Sequence, residues 1–374
     1  MTNQRSNMES GIDFPVHVVA SCRFEAARRI AGLADTDRRR ALHGHGFIAN
    51  VIANVPPGWS EFNGSECHDL QERLARCVGT LDYRLLNDLV SVPTDENIAA
   101  WIGQNVDVPG LGCVAIQSTP NQGVCVMPGG WHVRVWRRYM LQAAHRLPHV
   151  PVGHKCGRLH GHSFAIVVHS TQPIAGQNVS YDDLDRLWAP LHAELNYHCL
   201  NEILGLENPT SEMLSSWVWD RLKPSCPSLS AITVFETASC GATYDGTTYR
   251  IWKDFSLDSA VRMSNAPVTD PRSRVHGHTY TLRLKLTAPL DAVMGWTIDY
   301  GDIKRIFDPV FKSLDHHPLH ELPELGGGDP ASLARWVYQR VLADLPQVCA
   351  VELYETDGRG VTVGDSGGDL RLHV

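Results

Sequence analysis

Alternating apolar and polar residues predict the strands of this chain. The alternation is clearest at residues 281–286 (TLRLKL), where every second side chain is leucine. A period of two is typical of an antiparallel β-strand with one face buried in a core. Apolar stretches at 163–170 (SFAIVVHS) and 231–236 (AITVFE) predict two more strands.

The sequence between the last two strands predicts a pair of helices, at residues 181–196 and 211–222. Asp182 and Thr210 are the expected N-cap residues, because their side-chain oxygens can accept hydrogen bonds from the free N–H groups of a first turn. With a short final strand, the order of elements in this part of the chain is β-β-α-α-β-β.

The tripeptide His-Gly-His occurs three times, at residues 43–45, 160–162 and 276–278, at intervals of 117 and 116 residues. A period of this length, shared by several landmarks, indicates one structural unit present in three copies. Three landmarks recur in the same chain order in every unit: first Asp82, Asn196 and Asp315, then Trp101, Trp217 and Trp336, and finally Gln117, Glu236 and Glu355.

We therefore predict an α+β fold of three tandem units at residues 14–128, 131–246 and 247–374, separated by turn-rich sequence at 128–130 (PGG) and 245–246 (DG). A four-stranded sheet with helices on one face still has two open edges, and three such sheets can remove them by closing into a ring. The expected architecture is a pseudo-trimeric, twelve-stranded antiparallel barrel with the helices outside.

Composition narrows the class of partner. The chain has 374 residues, a net charge of −8 and no basic tract, which argues against nucleic acid as the main partner. No secretory signal is visible, and no apolar run approaches the ~20 residues of a membrane span. We expect a cytoplasmic protein without a membrane partner. The ten cysteines include no Cys-x-x-Cys pair, and most are expected to be reduced, buried thiols.

Candidate metal ligands cluster in the second unit. His160 and His162 are separated by one glycine, so in an extended strand their side chains point to the same face. His145 lies fifteen residues earlier, which suits the facing strand of a hairpin. Three imidazole nitrogens with an open fourth position are typical of a catalytic zinc site. Spacing alone leaves open a second interpretation, three unrelated histidines in a His-rich chain.

The second unit resembles the 6-pyruvoyl-tetrahydropterin synthase family, and in particular its queuosine-pathway branch, the 6-carboxy-tetrahydropterin synthases. The matching residues are 143–164 (AAHRLPHVPVGHKCGRLHGHSF), 200–212 (LNEILGLENPTSE) and 235–244 (FETASCGATY). The resemblance implies the tunnelling fold (T-fold), lyase activity and active sites shared between neighbouring units. It also implies that one chain is a fused trimer, and that a homodimer would reproduce the family's hexamer.

The resemblance implies roles for residues of the second unit. His145, His160 and His162 would hold Zn²⁺, and Cys156 would act as general base. A thiolate is needed for that work, so positive charge near the thiol is expected to lower its pKa. The zinc ion, Lys155 and Arg158 are candidate sources of this charge. The candidate substrate-binding residues are Lys155, Arg158, Thr210, Ser211, Glu212, Glu236 and Glu355, with Glu236 preferred over Glu355 as the anchor of the pterin ring.

The outer units lack parts of this site. Arg28 and Val261 replace the first histidine, and Arg39 and Arg272 replace the cysteine. Arginine has no lone pair to offer a metal. The leftover His-Gly-His copies are therefore expected to be structural relics or supporting groups.

An Asp-His pair that the family uses as a proton relay is missing from the second unit, where Asn196 and Tyr197 stand, and is present in the third as Asp315 and His316. His198 is one position late. We therefore predict one composite catalytic site per chain, between the second and third units.

The implied reaction converts 7,8-dihydroneopterin triphosphate to 6-carboxy-5,6,7,8-tetrahydropterin and releases triphosphate and acetaldehyde. Two alternatives stay open. One is a 6-pyruvoyl-type triphosphate lyase that keeps the side chain, and the other is a non-catalytic pterin-binding protein whose site has decayed.

Overall fold

The elements of each repeat follow one another in the same order in a computed structural model, which describes residues 14–33, 37–127, 132–173, 179–325 and 327–365. Unit one contains β1 (Val16–Arg28), β2 (His43–Ala53), α1 (Glu66–Gly79), β3 (Arg84–Leu85), α2 (Asp95–Asn105), β4 (Leu111–Thr119) and β5 (Gln122–Val126). Unit two contains β6 (His132–His145), β7 (His160–Pro173), α3 (Tyr181–Leu195), α4 (Ser211–Leu222), β8 (Leu229–Thr237) and β9 (Cys240–Tyr244). Unit three contains β10 (Tyr249–Val261), β11 (His276–Thr287), α5 (Tyr300–Leu314), α6 (Pro330–Leu342), β12 (Val348–Thr356) and β13 (Arg359–Gly364).

Twelve of these strands form one closed antiparallel barrel. Neighbouring units join through antiparallel pairs of β5 with β6 and β9 with β10, and β13 returns to pair with β1. The two-residue β3 lies outside the ring and pairs in parallel with the end of β1. Closure leaves none of the twelve strands with an open edge, which confirms the predicted pseudo-trimeric barrel.

Helices α1 to α6 pack on the outside of this barrel, and the main hydrophobic core lies between helices and strands. Leu282, Leu284 and Leu286 of β11 are fully buried on that side, as the alternation predicted. Their polar neighbours are buried too, because the opposite face of a closed barrel is its lumen. There Arg283 pairs with Asp254 at 2.6 Å, and Lys285 also forms an ion pair.

One of the two predicted helix caps is wrong. Thr210 caps α4, its hydroxyl accepting a hydrogen bond from the Met213 N–H. In α3, however, the cap is Ser180 rather than Asp182. Ser180 accepts from the N–H of Asp183, whose carboxylate accepts in return from the Ser180 N–H, so the reciprocal capping box fixes the start two residues earlier.

The predicted unit limits remain predictions. The turn at 128–130 lies outside the described residues, whereas 245–246 forms part of the turn between β9 and β10. Cys113 and Cys125, on neighbouring strands, are bonded to each other, and the other eight cysteines are free, four of them buried. Within the described ranges, no helix is both long and apolar enough to cross a membrane.

Candidate active site

Three histidines meet where β6 ends and β7 begins. His145 and His160 are direct partners across the hairpin, and His162 lies two residues further along β7. The hairpin that the spacing predicted is therefore present. One nitrogen from each ring can be chosen so that the three atoms lie within 4.8 Å of one another. In the described part of the chain, this is the one group of histidine, cysteine or acidic residues close enough to hold a metal ion.

Backbone carbonyls orient two of these rings. The Nδ1–H of His145 donates to the Pro209 carbonyl at 2.9 Å, and that of His160 donates to the Arg158 carbonyl at 2.8 Å. Each bond leaves the lone pair on Nε2. The Nε2 atoms of His145 and His162 are buried without a hydrogen-bond partner. Burial also lowers the pKa of both rings, which favours the neutral form that binds metals.

The buried, unpartnered nitrogens fit a metal ion. A buried polar atom without a partner is costly, and coordination would remove that cost. Three neutral imidazoles are also a ligand set that zinc uses in catalytic sites.

Cys156 lies in a short 3-10 turn, Lys155–Gly157, beside this cluster. Its carbonyl accepts a hydrogen bond from the Leu147 N–H at 2.8 Å, and its own N–H donates to His154 Nδ1 at 3.2 Å. Burial raises the pKa of the thiol, Glu236 raises it further, and Lys155 opposes both. The expected lowering of this pKa is therefore not achieved by protein charges alone, because desolvation outweighs the one lysine.

A cavity of about 790 Å³ opens over the cluster between units two and three. Its volume is within the range that holds a drug-sized ligand. Nine residues predicted for the site line it: Lys155, Cys156, Arg158, His160, His162, Thr210, Ser211, Glu212 and Glu236. His145 lies buried beneath them, only 1% exposed.

Two carboxylates of unit two face this cavity. Glu236, at the end of β8, accepts from the Ser211 hydroxyl at 2.7 Å, and its other oxygen is 3.5 Å from His162 Nε2. Glu212 is buried at the start of α4 and accepts from the Thr297 N–H at 2.8 Å. Burial raises the pKa of Glu212 to about 7.

The opposite wall comes from unit three, and the sequence did not identify it. Trp296, Asp299 and Lys304, near the start of α5, line the cavity, and so does Lys253 of β10. The segment is attached to unit two at several points; the Thr210 hydroxyl, for example, donates to the Gly295 carbonyl at 2.5 Å. These residues follow no motif, so the sequence offers no signal that would have found them.

Asp315 and His316 do not line the cavity. Asp315 ends α5, and its carboxylate accepts from the Asp258 N–H and from His316 Nδ1, both at 2.9 Å. The predicted Asp-His hydrogen bond is therefore present. The His316 side chain is 75% exposed on the outside of its own chain.

The residue at the position of Asp315 also has a structural role. In every unit, its side chain accepts a hydrogen bond from a backbone N–H of the first strand of that unit. Asp82 accepts from the Glu25 N–H at 2.8 Å, and Asn196 accepts from the Gln142 N–H at 2.9 Å. The following residue has positive φ in each unit, 58° at His316. In every unit, a turn that connects the helix to the first strand therefore fixes the position of the residue with positive φ. This residue is a histidine in unit three and a tyrosine in the other two units.

Comparison with known proteins places the chain in a family. The sequence model of the 6-pyruvoyl tetrahydropterin synthase family matches three segments, residues 17–124, 134–247 and 250–365. The chain belongs to this family. The three matches cover most of the sequence, one for each predicted unit.

Individual relatives match single units. A 6-carboxy-5,6,7,8-tetrahydropterin synthase from Synechocystis is 34% identical over 119 residues, which are 29% of this chain and 91% of the relative. A dihydroneopterin monophosphate aldolase from Pyrococcus furiosus is 28% identical over 72 residues, 19% of this chain and 60% of that protein. The 6-pyruvoyl tetrahydropterin synthase structure from Caenorhabditis elegans is 18% identical and covers 31% of this chain and 94% of its own, with a TM-score of 0.29.

The cavity between units two and three has a counterpart between units one and two, where a salt bridge occupies the equivalent place. Arg28, at the position of His145, is 4% exposed and binds Asp95 at 2.7 Å and the Pro93 carbonyl at 2.9 Å. Tyr181 of unit two donates its hydroxyl to the same Asp95 carboxylate at 2.7 Å. The guanidinium thus supplies a fixed positive charge where the second unit has its histidine cluster.

A third counterpart lies between units three and one and contains Glu355. This carboxylate is 2% exposed and accepts from Arg359 at 3.2 Å. His278 and His68 lie 3.9 and 4.0 Å away, too far for a hydrogen bond. Burial raises the pKa of Glu355. Glu355 is therefore placed at a different interface from the cavity that contains Glu236.

Proposed function

We propose that the chain is a zinc-dependent 6-carboxy-5,6,7,8-tetrahydropterin synthase, with its active site in the cavity between units two and three. The substrate would be 7,8-dihydroneopterin triphosphate, which with water gives 6-carboxy-tetrahydropterin, acetaldehyde and triphosphate. The observation that carries this proposal is the convergence of the three histidines, Cys156 and Glu236 on one cavity.

Membership of the 6-pyruvoyl tetrahydropterin synthase family and similarity to the Synechocystis synthase indicate a lyase. Within that class, the carboxy-type product is the more specific proposal, motivated by the name of that relative. The cysteine four residues before His160, in the sequence CGRLHGH, is the motif that suggested the same branch.

His145, His160 and His162 would hold the zinc through Nε2. The ion, when bound, would polarise side-chain oxygens of the substrate and so make adjacent C–H and O–H protons easier to remove. Cys156 would remove such a proton as general base, and it requires a thiolate to do so. Lys155 opposes the effect of burial on the thiol pKa, and a bound cation would act in the same direction.

Glu236 would hold the pterin ring. Its carboxylate is fixed by Ser211 and can accept hydrogen bonds from adjacent N–H groups of a 2-amino-4-oxo edge. Four cationic side chains around the cavity would attract the triphosphate: Lys155, Arg158, Lys253 and Lys304. Two of these belong to unit two and two to unit three.

The proton relay would come from Asp315 and His316 of a second copy in a homodimer. Within one chain this pair is absent from the cavity lining, and the His316 ring is largely exposed. An exposed, oriented imidazole can serve as a general acid–base for a site on a neighbouring molecule. The dimer therefore has a catalytic purpose in this proposal.

Product analysis tests the activity. We expect incubation of the zinc-loaded protein with 7,8-dihydroneopterin triphosphate to release triphosphate and acetaldehyde, with the mass of 6-carboxy-tetrahydropterin. A 6-pyruvoyl product without acetaldehyde would instead support the pyruvoyl-type lyase. Binding of a pterin without turnover would support the non-catalytic alternative. Metal analysis should give one zinc per chain.

Mixing two inactive variants tests the dimer. Cys156→Ala and His316→Ala chains should each be inactive alone. After mixing and subunit exchange, the heterodimer would contain one site with an intact Cys156 and a partner that supplies His316, so activity should return. If mixing restores nothing while each variant still dimerises by light scattering, the relay does not act between chains.

A further inference from the structure

The short turn before each His-Gly-His is built in the same way in all three units. It is a 3-10 turn whose preceding residue accepts a hydrogen bond from the N–H two residues later. In unit one Asp37 accepts from Arg39 at 2.9 Å, and in unit three Asp270 accepts from Arg272 at 2.8 Å. The cap is therefore a feature of the fold, independent of catalysis.

Unit two differs from the others in both the cap and the residue it caps. His154 accepts through Nδ1 from the Cys156 N–H at 3.2 Å. Where the capped residue is arginine, the capping carboxylate also binds its guanidinium, at 2.6 Å in both outer units. Where the capped residue is cysteine, the carboxylate is replaced by an imidazole. The cap is thus an acidic side chain where the residue two positions later is a positively charged arginine, and an imidazole where that residue is a cysteine.

A physical reason for this match lies in the electrostatics of the thiol. A carboxylate in the cap would stand beside Cys156 and disfavour a thiolate, whereas a neutral imidazole accepts the same N–H bond without a negative charge. Groups on other elements already influence this thiol. Glu236 on β8 and Asp299 before α5 raise its pKa, and Lys155 lowers it. A third carboxylate, in the cap, would disfavour the thiolate further.

The imidazole is also held from unit three. His154 Nε2 lies 3.2 Å from one carboxylate oxygen of Asp299, whose other oxygen caps α5 by accepting from the Gly301 N–H at 2.5 Å. Because Nδ1 accepts a hydrogen bond, the proton of the neutral ring must be on Nε2, the nitrogen that faces Asp299. The negative charge of the Asp299 carboxylate, 3.2 Å from Nε2, thus favours the tautomer that the cap needs. A continuous chain of polar contacts therefore runs from the start of α5 to the backbone of Cys156.

We propose that His154, held by Asp299 across the interface, is the positioning residue of Cys156, and that its imidazole fixes the turn without placing a carboxylate beside the thiol. This inference rests on the proposed role of Cys156 as general base. It assigns unit three a part in the active site that does not depend on Asp315 or His316.

Alkylation of Cys156 by iodoacetamide as a function of pH tests the proposal without requiring turnover. The rate is followed on the peptide that contains Cys156 by mass spectrometry, because other free cysteines also react. Two matched variants, His154→Asn and His154→Asp, keep a side-chain oxygen that can cap the turn and differ in charge. The midpoint of the curve of alkylation rate against pH reports the pKa of the thiol. We expect this midpoint to rise by about one pH unit in His154→Asp relative to His154→Asn. Equal midpoints would overturn the electrostatic argument.

A third variant and a control complete the design. His154→Ala removes the cap, and we expect it to lower kcat with a much smaller change in KM, with His154→Asn restoring much of the loss. Asp270→Asn, at the same cap in unit three, should leave Cys156 alkylation unchanged. Wild-type kcat in His154→Ala would overturn the positioning role. If no variant or wild-type protein turns over substrate, the proposed function fails, whereas the alkylation midpoints still decide the inference.

Discussion

The interface between units two and three and its counterpart between units one and two share one backbone plan but hold different chemistry. Each has two histidines at the start of the second strand and a residue facing them from the end of the first. At the two–three interface that residue is His145, and two ring nitrogens are buried without hydrogen-bond partners. At the one–two interface it is Arg28, which meets Asp95 in a buried ion pair.

This difference shows how one scaffold can support either a binding site or a stabilising contact. Unpartnered polar atoms destabilise a folded protein unless a ligand satisfies them, so a functional site carries a cost that the metal must offset. The Arg28 guanidinium, in contrast, is part of the chain. It permanently neutralises the buried Asp95 carboxylate and leaves no position open for a ligand. The one–two interface is therefore expected to contribute stability, and the two–three interface activity. Four predictions test this contrast.

The largest effect is expected for His145→Ala. Loss of one of three ligands should remove most of the zinc and lower turnover by about a thousandfold or more, because metal chemistry and substrate orientation are lost together. Zinc content by mass spectrometry and steady-state kinetics measure this. His45→Ala is the matched control at the one–two interface, and it should leave both quantities near wild type. Comparable zinc loss in the control would contradict the contrast.

The next largest effect is expected for the stability of the protein, when the ion pair at the one–two interface is broken. Arg28→Ala leaves the Asp95 carboxylate buried without its partner, and such changes cost about 3–5 kcal/mol. Chemical denaturation would measure the free energy of unfolding. The double variant Arg28→Met with Asp95→Asn should recover most of the loss, since the amide can still accept from Tyr181. If the denaturation midpoint of Arg28→Ala equals that of the wild type, the ion pair between Arg28 and Asp95 does not stabilise the fold.

Glu212 should make stability depend on pH. Its pKa is raised from 4.5 to about 7 by burial, so between these values the folded state binds a proton that the unfolded state has lost. The contribution is favourable below pH 4.5 and is lost as pH rises to about 7, by about 3 kcal/mol in total.

Glu212→Gln provides the control for this pH dependence. The amide does not titrate, so the difference between wild type and variant should change with pH across that window, in protein freed of metal. A constant difference from pH 4 to pH 8 would argue against the buried, raised pKa. Glu96, at the corresponding place in unit one, has a pKa raised in the same direction by burial.

The smallest effect is expected for Glu236→Gln. Replacing the carboxylate weakens hydrogen bonds from the pterin N–H groups, and charged hydrogen bonds of this kind contribute about 1.5–3 kcal/mol. KM should therefore rise about tenfold or more. Gln117→Glu restores a carboxylate at the corresponding position of unit one and should create no second pterin site, because Arg28 and Asp95 occupy that interface. A second bound pterin per chain, measured by calorimetry, would contradict this.

The sequence by itself determined the repeat and the order of elements, and it predicted the cluster of three histidines. The spacing of two between His160 and His162 suffices for a shared face, and the length of the hairpin predicts that His145 faces them. It also identified which units lack a ligand, because Arg28 and Val261 are visible in any alignment of the repeats. These are local properties, fixed by periods along one strand or one hairpin.

Only the tertiary structure decided what each interface contains. It placed Glu236 in the cavity and Glu355 at another interface, and it left Asp315 and His316 outside. It also brought Asp299 to His154 across 145 positions of sequence. No period in the chain encodes such contacts, because they depend on how three sheets close into a ring and which helix start then faces which cavity.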